Sequence, residues 1–108
     1  MMVQDALLDQ GYDVRGVANG SKLVDCVEDL APDLIILDVM MPELDGWSTL
    51  EVLKRNEKTR AIPVLMLTSL QRGVEVEAAF TRGAKDFLAK PFQLAQLIKK
   101  VQRLAPPA

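Results

Sequence analysis

The sequence predicts a doubly wound α/β domain, a parallel sheet with helices on both faces. Three observations carry that prediction. Leu34, Ile35, Ile36 and Leu37, and again Val64, Leu65, Met66 and Leu67, are short unbroken apolar runs, as strands covered on both faces require. Around them lie stretches whose apolar residues recur every three or four positions, the mark of one helix face. The two periods alternate along the chain, and such alternation gives parallel strands joined by right-handed crossovers. With 108 residues, 49% hydrophobic and 26% charged, the chain has the size and composition of one globular domain.

The elements follow in order. Residues 2–10 read as a helix, with Val3 and Leu7 on one face and Gly11 as its stop. Residues 12–17 alternate loosely and read as a strand. Ala18, Asn19, Gly20 and Ser21 form a turn, with Ser21 or Asn19 as the N-cap of a helix carrying Leu23, Val24, Val27 and Leu30; Pro32 breaks it. The first apolar run ends at Asp38. A loop with Pro42, Asp45 and Gly46 leads to a helix with Trp47, Leu50 and Leu53 inside and Lys54, Arg55, Asn56 and Glu57 on its polar side. The second apolar run follows Pro63 and ends at Thr68. A helix at residues 74–81 is closed by Gly83, and a strand at residues 87–89 ends at Lys90 and Pro91. The last helix shows the stripe Leu94, Leu97, Ile98, Val101 and Leu104, and the prolines of residues 105–108 cannot continue it. The domain therefore spans residues 1–104 and residues 105–108 form a tail or the start of a linker.

Composition excludes several classes. Thirteen basic residues against fifteen acidic ones give a net charge of −2, without the clustered cations of a nucleic-acid surface or the polybasic run that holds an anionic membrane. The chain has no histidine, hence no Ser-His or Cys-His dyad and no His-ligated zinc. The lone Cys26 cannot form an internal disulfide and reads as a small packed side chain, which fits a reducing, cytoplasmic setting. No apolar stretch approaches the ~18 residues of a membrane span. Asp5 and Asp9 stand where a signal peptide would be basic.

In open parallel sheets, ligands gather outside the carboxyl ends of the strands. Asp38, Thr68 and Lys90 each close a strand at that edge. Together they offer a carboxylate able to accept a phosphoryl group, and a hydroxyl and a cation able to stabilise its oxygens. Taken singly, Asp38 is a solvated loop-opening residue, Thr68 a helix cap and Lys90 a surface cation. Three such residues ending three successive strands favour a site.

These residues sit in motifs that resemble the receiver domains of two-component response regulators. Residues 32–46, from Pro32 through Asp38 and Pro42 to Gly46, are similar to the family's phosphoacceptor region. Residues 62–69, ending in Thr68 and Ser69, resemble its switch strand, and residues 83–92, with Lys90 and Pro91, its Lys-Pro motif. Thirty positions separate Asp38 from Thr68 and twenty-two separate Thr68 from Lys90, as the family has them. The resemblance implies a flavodoxin-like fold. It implies that Asp38 accepts a phosphoryl group from a sensor histidine kinase or a phosphotransfer protein, that Thr68 moves to bond the phosphate, that Phe87 is the switch aromatic, and that Lys90 pairs with carboxylate and phosphate. It also implies Mg²⁺ held by Asp38 and the backbone carbonyl of Met40, a cis peptide at Pro91, and a readout surface over residues 74–101, from Val74 to Val101, that meets a downstream protein. Met40 and Leu70, both apolar, flank the path of attacking water, so slow autodephosphorylation is expected.

One departure stands out. The family opens with a strand ending in two acidic residues that share the magnesium ion, and this chain opens on a helix instead. Asp5, Asp9 and Asp13 do not replace that pair, so magnesium binding is expected to be weakened. The missing strand would lie between residues 12–17 and residues 34–38, leaving a slot or an open edge. Three readings follow: a trimmed piece of a full receiver, a strand-less module that binds proteins without phosphorylation, or a homodimer or strand-swapped assembly in which another chain completes the sheet. A flavin-binding protein of the same sheet class is a further rival, disfavoured because no Ser/Thr/Gly-rich phosphate loop follows any strand.

Overall fold

The computed structural model describes residues 2–17, 20–38, 46–68, 83–89 and 92–106. They form α1 (Met2–Asp9), α2 (Gly20–Leu30), β1 (Ile35–Asp38), α3 (Gly46–Arg55), β2 (Val64–Thr68), β3 (Asp86–Ala89) and α4 (Leu94–Leu104). The helix expected at residues 74–81 lies outside the described residues. No described helix is long and apolar enough to cross a membrane.

The three strands pair in the order β1-β2-β3, parallel throughout. Ile35 stands opposite Val64 and Asp38 opposite Leu67, while Leu65 faces Asp86 and Thr68 faces Ala89. The central position of β2 explains its composition. Val64, Leu65 and Met66 are completely buried, because neighbours flank the strand and helices cover both of its faces.

Alternation along the strands sorts side chains into two cores. Ile35, Leu37, Val64 and Met66 face α2 and α3, where they meet Leu23, Val27, Leu50 and Leu53, with Trp47 and Phe87 packed at the margin. Leu65, Leu67 and Leu88 face the other way and meet Leu7 of α1 and Leu97 and Val101 of α4. The stripes read for α3 and α4 are thus the faces turned to the sheet, whereas of the α2 set Leu23 and Val27 are buried and Leu30 is exposed; full burial of a leucine such as Leu50 contributes about 2 kcal/mol.

Residues 12–17, expected as a strand, join no ladder. The alternation is real: Tyr12 and Val14 turn onto the α1/α4 core beside Leu34 and Ile36, whereas Asp13 and Arg15 are exposed. A strand also needs a partner at about 4.8 Å, and among the described residues no strand precedes β1 to supply one. Helix α2 begins at Gly20, which places Ser21 inside it rather than at its cap. It ends where the Ala31 N–H bonds the Val27 carbonyl at 2.9 Å and Ala31 turns to a φ of +43° ahead of Pro32.

The polar side of α3 is less solvated than its composition suggests. Lys54 Nζ donates to the carbonyls of Arg60 and Ile62, each at 2.9 Å, and Thr59 Oγ1 donates to the Leu53 carbonyl at 2.6 Å. Burial pushes the Lys54 ammonium below its ordinary pKa of 10.5. These bonds strap the turn after α3 and deliver the chain to Pro63, whose carbonyl accepts the Ile35 N–H at 3.0 Å and starts the β1–β2 ladder.

Candidate functional site at the carboxyl edge of the sheet

Parallel strands put their carboxyl ends on one edge. Asp38 is the last residue of β1 and Thr68 the last residue of the adjacent β2. The register sets Thr68 one step beyond Leu67, the partner of Asp38, and opposite Ala89, the last residue of β3. Asp38 is half-buried and is engaged by a neighbouring group. Lys90 follows Ala89 directly in the chain; Lys90, Pro91 and Met40 lie outside the described residues.

The metal donors at this edge are few. Among the described residues no group of three or more His, Cys, Asp or Glu gathers closely enough to hold a metal ion. Asp5 and Asp9 are exposed on α1, and Asp13 is exposed and pairs with Arg15 at 3.3 Å. Asp38 is the carboxylate that β1 brings to this edge, and magnesium takes several oxygen ligands, commonly one or two carboxylates with waters.

Phe87 sits in β3 opposite Met66, half-buried against the α2/α3 core. Lys100 Nζ lies 5.6 Å from its ring centroid, within the range of a cation–π contact. The same ammonium is 3.1 Å from both carboxylate oxygens of Asp86, and an Arg103 guanidinium nitrogen is 2.7 Å from Asp86 Oδ2. Lys100 therefore wraps the side of β3 and touches groups belonging to both faces of the sheet. Burial pushes the Asp86 carboxyl up, but the Phe87 N–H at 2.8 Å together with Lys100 and Arg103 outweigh it and hold it below its ordinary 3.8. The sequence reading passed over Asp86. The available signal was an acidic residue opening an apolar strand, with unpaired cations on the inner flank of the last helical stripe.

The model of the response regulator receiver domain family matches residues 1–102. The transcriptional regulator RpaA of Synechocystis, described as DNA-binding, is 42% identical over 94 residues, which are 87% of this chain and 39% of that protein. The chemotaxis protein CheY of Bacillus subtilis is 33% identical over 104 residues, 95% of this chain and 85% of CheY. The crystal structure of the receiver domain of the Pseudomonas aeruginosa sensor histidine kinase PA1611, with a magnesium ion coordinated in its active-site cleft, matches with a TM-score of 0.84 at 33% identity, covering 95% of this chain and 84% of that one. The chain spans only about two-fifths of the length of RpaA and of several other curated relatives.

Proposed function

This chain belongs to the response regulator receiver domain family, and from that premise we propose that it is a phosphorelay receiver whose phosphoacceptor is Asp38. The observation that carries the proposal is the placement of Asp38 and Thr68 as the closing residues of adjacent parallel strands, with Lys90 next in the chain after the third. A carboxylate oxygen of Asp38 attacks the phosphorus of a phosphohistidine on a sensor kinase or phosphotransfer protein. The P–N bond breaks as the P–O bond forms, and the imidazole leaves and takes up a proton. Thr68 donates its hydroxyl to a phosphoryl oxygen, and Lys90 offsets the charge of the acyl phosphate, about −1.5 to −2 in place of the carboxylate's −1. Phe87 follows Thr68 and alters the surface read by a downstream protein.

The receiver unit is residues 1–104, with residues 105–108 a tail or the start of a linker; the end of α4 at Leu104 supports this division. The setting is cytoplasmic. Magnesium, which in the family neutralises the transferring phosphoryl group, is bound weakly, because among the described residues no group of three or more acids gathers to hold it. That same shortage favours a second reading, in which the chain is a protein-interaction module that works without phosphorylation.

Intact mass after incubation with acetyl phosphate and magnesium separates the two. The expected result is gain of one phosphoryl group by the parent and none by Asp38→Asn. No gain by a demonstrably folded parent, even at high magnesium, would overturn the phosphoacceptor reading and leave the interaction module.

A further inference from the structure

Lys100 has no role in the phosphoryl chemistry, yet its ammonium reaches a residue that does. It belongs to α4, which covers the core of Leu65, Leu88 and Leu97. The ring of Phe87 packs at the margin of the opposite core, and Lys100 Nζ stands 5.6 Å from its centroid. Two features of the fold allow this. Strand β3 is the outer strand of the described sheet, so a long side chain can pass around its edge. Asp86 then catches the head, with both carboxylate oxygens 3.1 Å from Lys100 Nζ.

The anchor is fixed in its turn. Asp86 is buried, accepts the Phe87 N–H at 2.8 Å and takes a second cation, Arg103, at 2.7 Å. The Lys100 side chain is 27% exposed, so water screens its contacts only in part.

We propose that Lys100 is a positioning residue of the switch: anchored on Asp86, it holds the Phe87 ring at the margin of the sheet and sets how readily the ring leaves that seat when Asp38 is phosphorylated. The direction follows from the strand. Asp86 opens β3 at its amino end, and Ala89 closes it opposite Thr68, about 10 Å further along. A ring drawn toward Thr68 therefore moves away from the cation. The cation cannot follow, because Asp86 is tied to the strand backbone and α4 is seated by Leu97 and Val101. The contact is lost in the move, so it weights the equilibrium toward the seat at the margin. A purely structural Lys100 would only neutralise Asp86. Arg103 bonds the same carboxylate, and what sets Lys100 apart is its reach to the ring.

The proposal rests on Asp38 being the phosphoacceptor and on Phe87 moving with Thr68. The rate of phosphoryl gain from acetyl phosphate and magnesium, followed by intact mass, tests it. Lys100→Met keeps an unbranched stem and removes the charge, and should gain the phosphoryl group about two- to fivefold faster than the parent. Lys100→Arg, which keeps a cation, should restore the parent rate. Arg103→Gln, which touches Asp86 alone of the pair, should leave the rate unchanged. In a Phe87→Leu background, Lys100→Met should have no effect on the rate. Urea unfolding of the same four combinations of Lys100→Met and Phe87→Leu reads the contact without phosphorylation, and the unfolding constants should be coupled by a similar factor. Circular dichroism verifies that each variant is folded.

Gain by the parent with no acceleration in Lys100→Met would overturn the role of Lys100 and leave the phosphoacceptor. So would equal acceleration in Arg103→Gln, or acceleration that persists without the Phe87 ring. Strictly additive unfolding energies would overturn the contact itself. No gain by the parent would remove the phosphoacceptor reading and the switch role together.

Discussion

The Tyr12 hydroxyl donates a hydrogen bond of 2.7 Å to the carbonyl of Ala105, joining groups 93 positions apart in the chain. Ala105 caps the end of α4, and Tyr12 opens the segment that follows α1, so one bond fastens both to the same core. Tyr12→Phe should lower stability by about 1 kcal/mol, seen as a lower urea midpoint at an unchanged slope. Burial also raises the phenol above its ordinary 10.0. A raised folded-state value means that the stabilisation is complete below about pH 10 and is lost as pH climbs through the folded value. In Tyr12→Phe the alkaline fall in stability should be shallower.

Asp86 governs the acid limb. Its folded pKa is depressed, so its contribution is present above the unfolded value of 3.8 and disappears as pH falls through the lower folded value. Asp86→Asn should cost about 1–3 kcal/mol at neutral pH, because Lys100 is left partly buried without its carboxylate. Denaturant unfolding repeated from pH 7 down to about 2 should show a flatter decline for the variant than for the parent.

Two glycines separate backbone strain from collision. Gly11 and Gly83 have φ of +91° and +106°. A Cβ on Gly11 would meet nothing within 4 Å, whereas one on Gly83 would come within 2.9 Å of Lys54 Cγ, on a side chain fixed by its two carbonyl contacts. Gly11→Ala should cost about 1–2 kcal/mol from strain alone, and Gly83→Ala should cost more. Adding Lys54→Ala should couple to Gly83→Ala in a double-mutant cycle and be additive with Gly11→Ala.

Packing should discriminate sharply between leucines. Leu50 is fully buried between α3 and the sheet, and Leu8 is 51% exposed on α1. Leu50→Ala should lose about 2–5 kcal/mol, and Leu8→Ala should stay within about 0.5 kcal/mol of the parent by thermal or urea unfolding.

Local pattern made β1, β2 and α4 legible, because an unbroken apolar run or a clean stripe such as Leu94, Leu97, Ile98, Val101 and Leu104 reflects burial that each residue undergoes itself. The strand expected at residues 12–17 shows where that logic stops. Its loose alternation does appear as burial, with Tyr12 and Val14 on the core and Asp13 and Arg15 exposed, but ladder formation depends on a neighbouring backbone that no local pattern encodes. The site was legible to the same extent: Asp38 and Thr68 could be assigned to one edge because parallel topology fixes it. Asp86 was not, since its partners lie 14 and 17 positions onward and meet it only when α4 packs beside β3.

The division of the interior into two cores bears on the order of assembly. The core under α2 and α3 draws on residues 23–66, with Ala84 added late, whereas the core under α1 and α4 joins Leu7 to Leu97 and Val101. On a ribosome, where the chain emerges from its amino end, the first layer has nearly all its parts when about two-thirds of these 108 residues have been made. The second must hold Leu7 and Leu65 exposed until α4 emerges, and its long-range closure makes it the slower step.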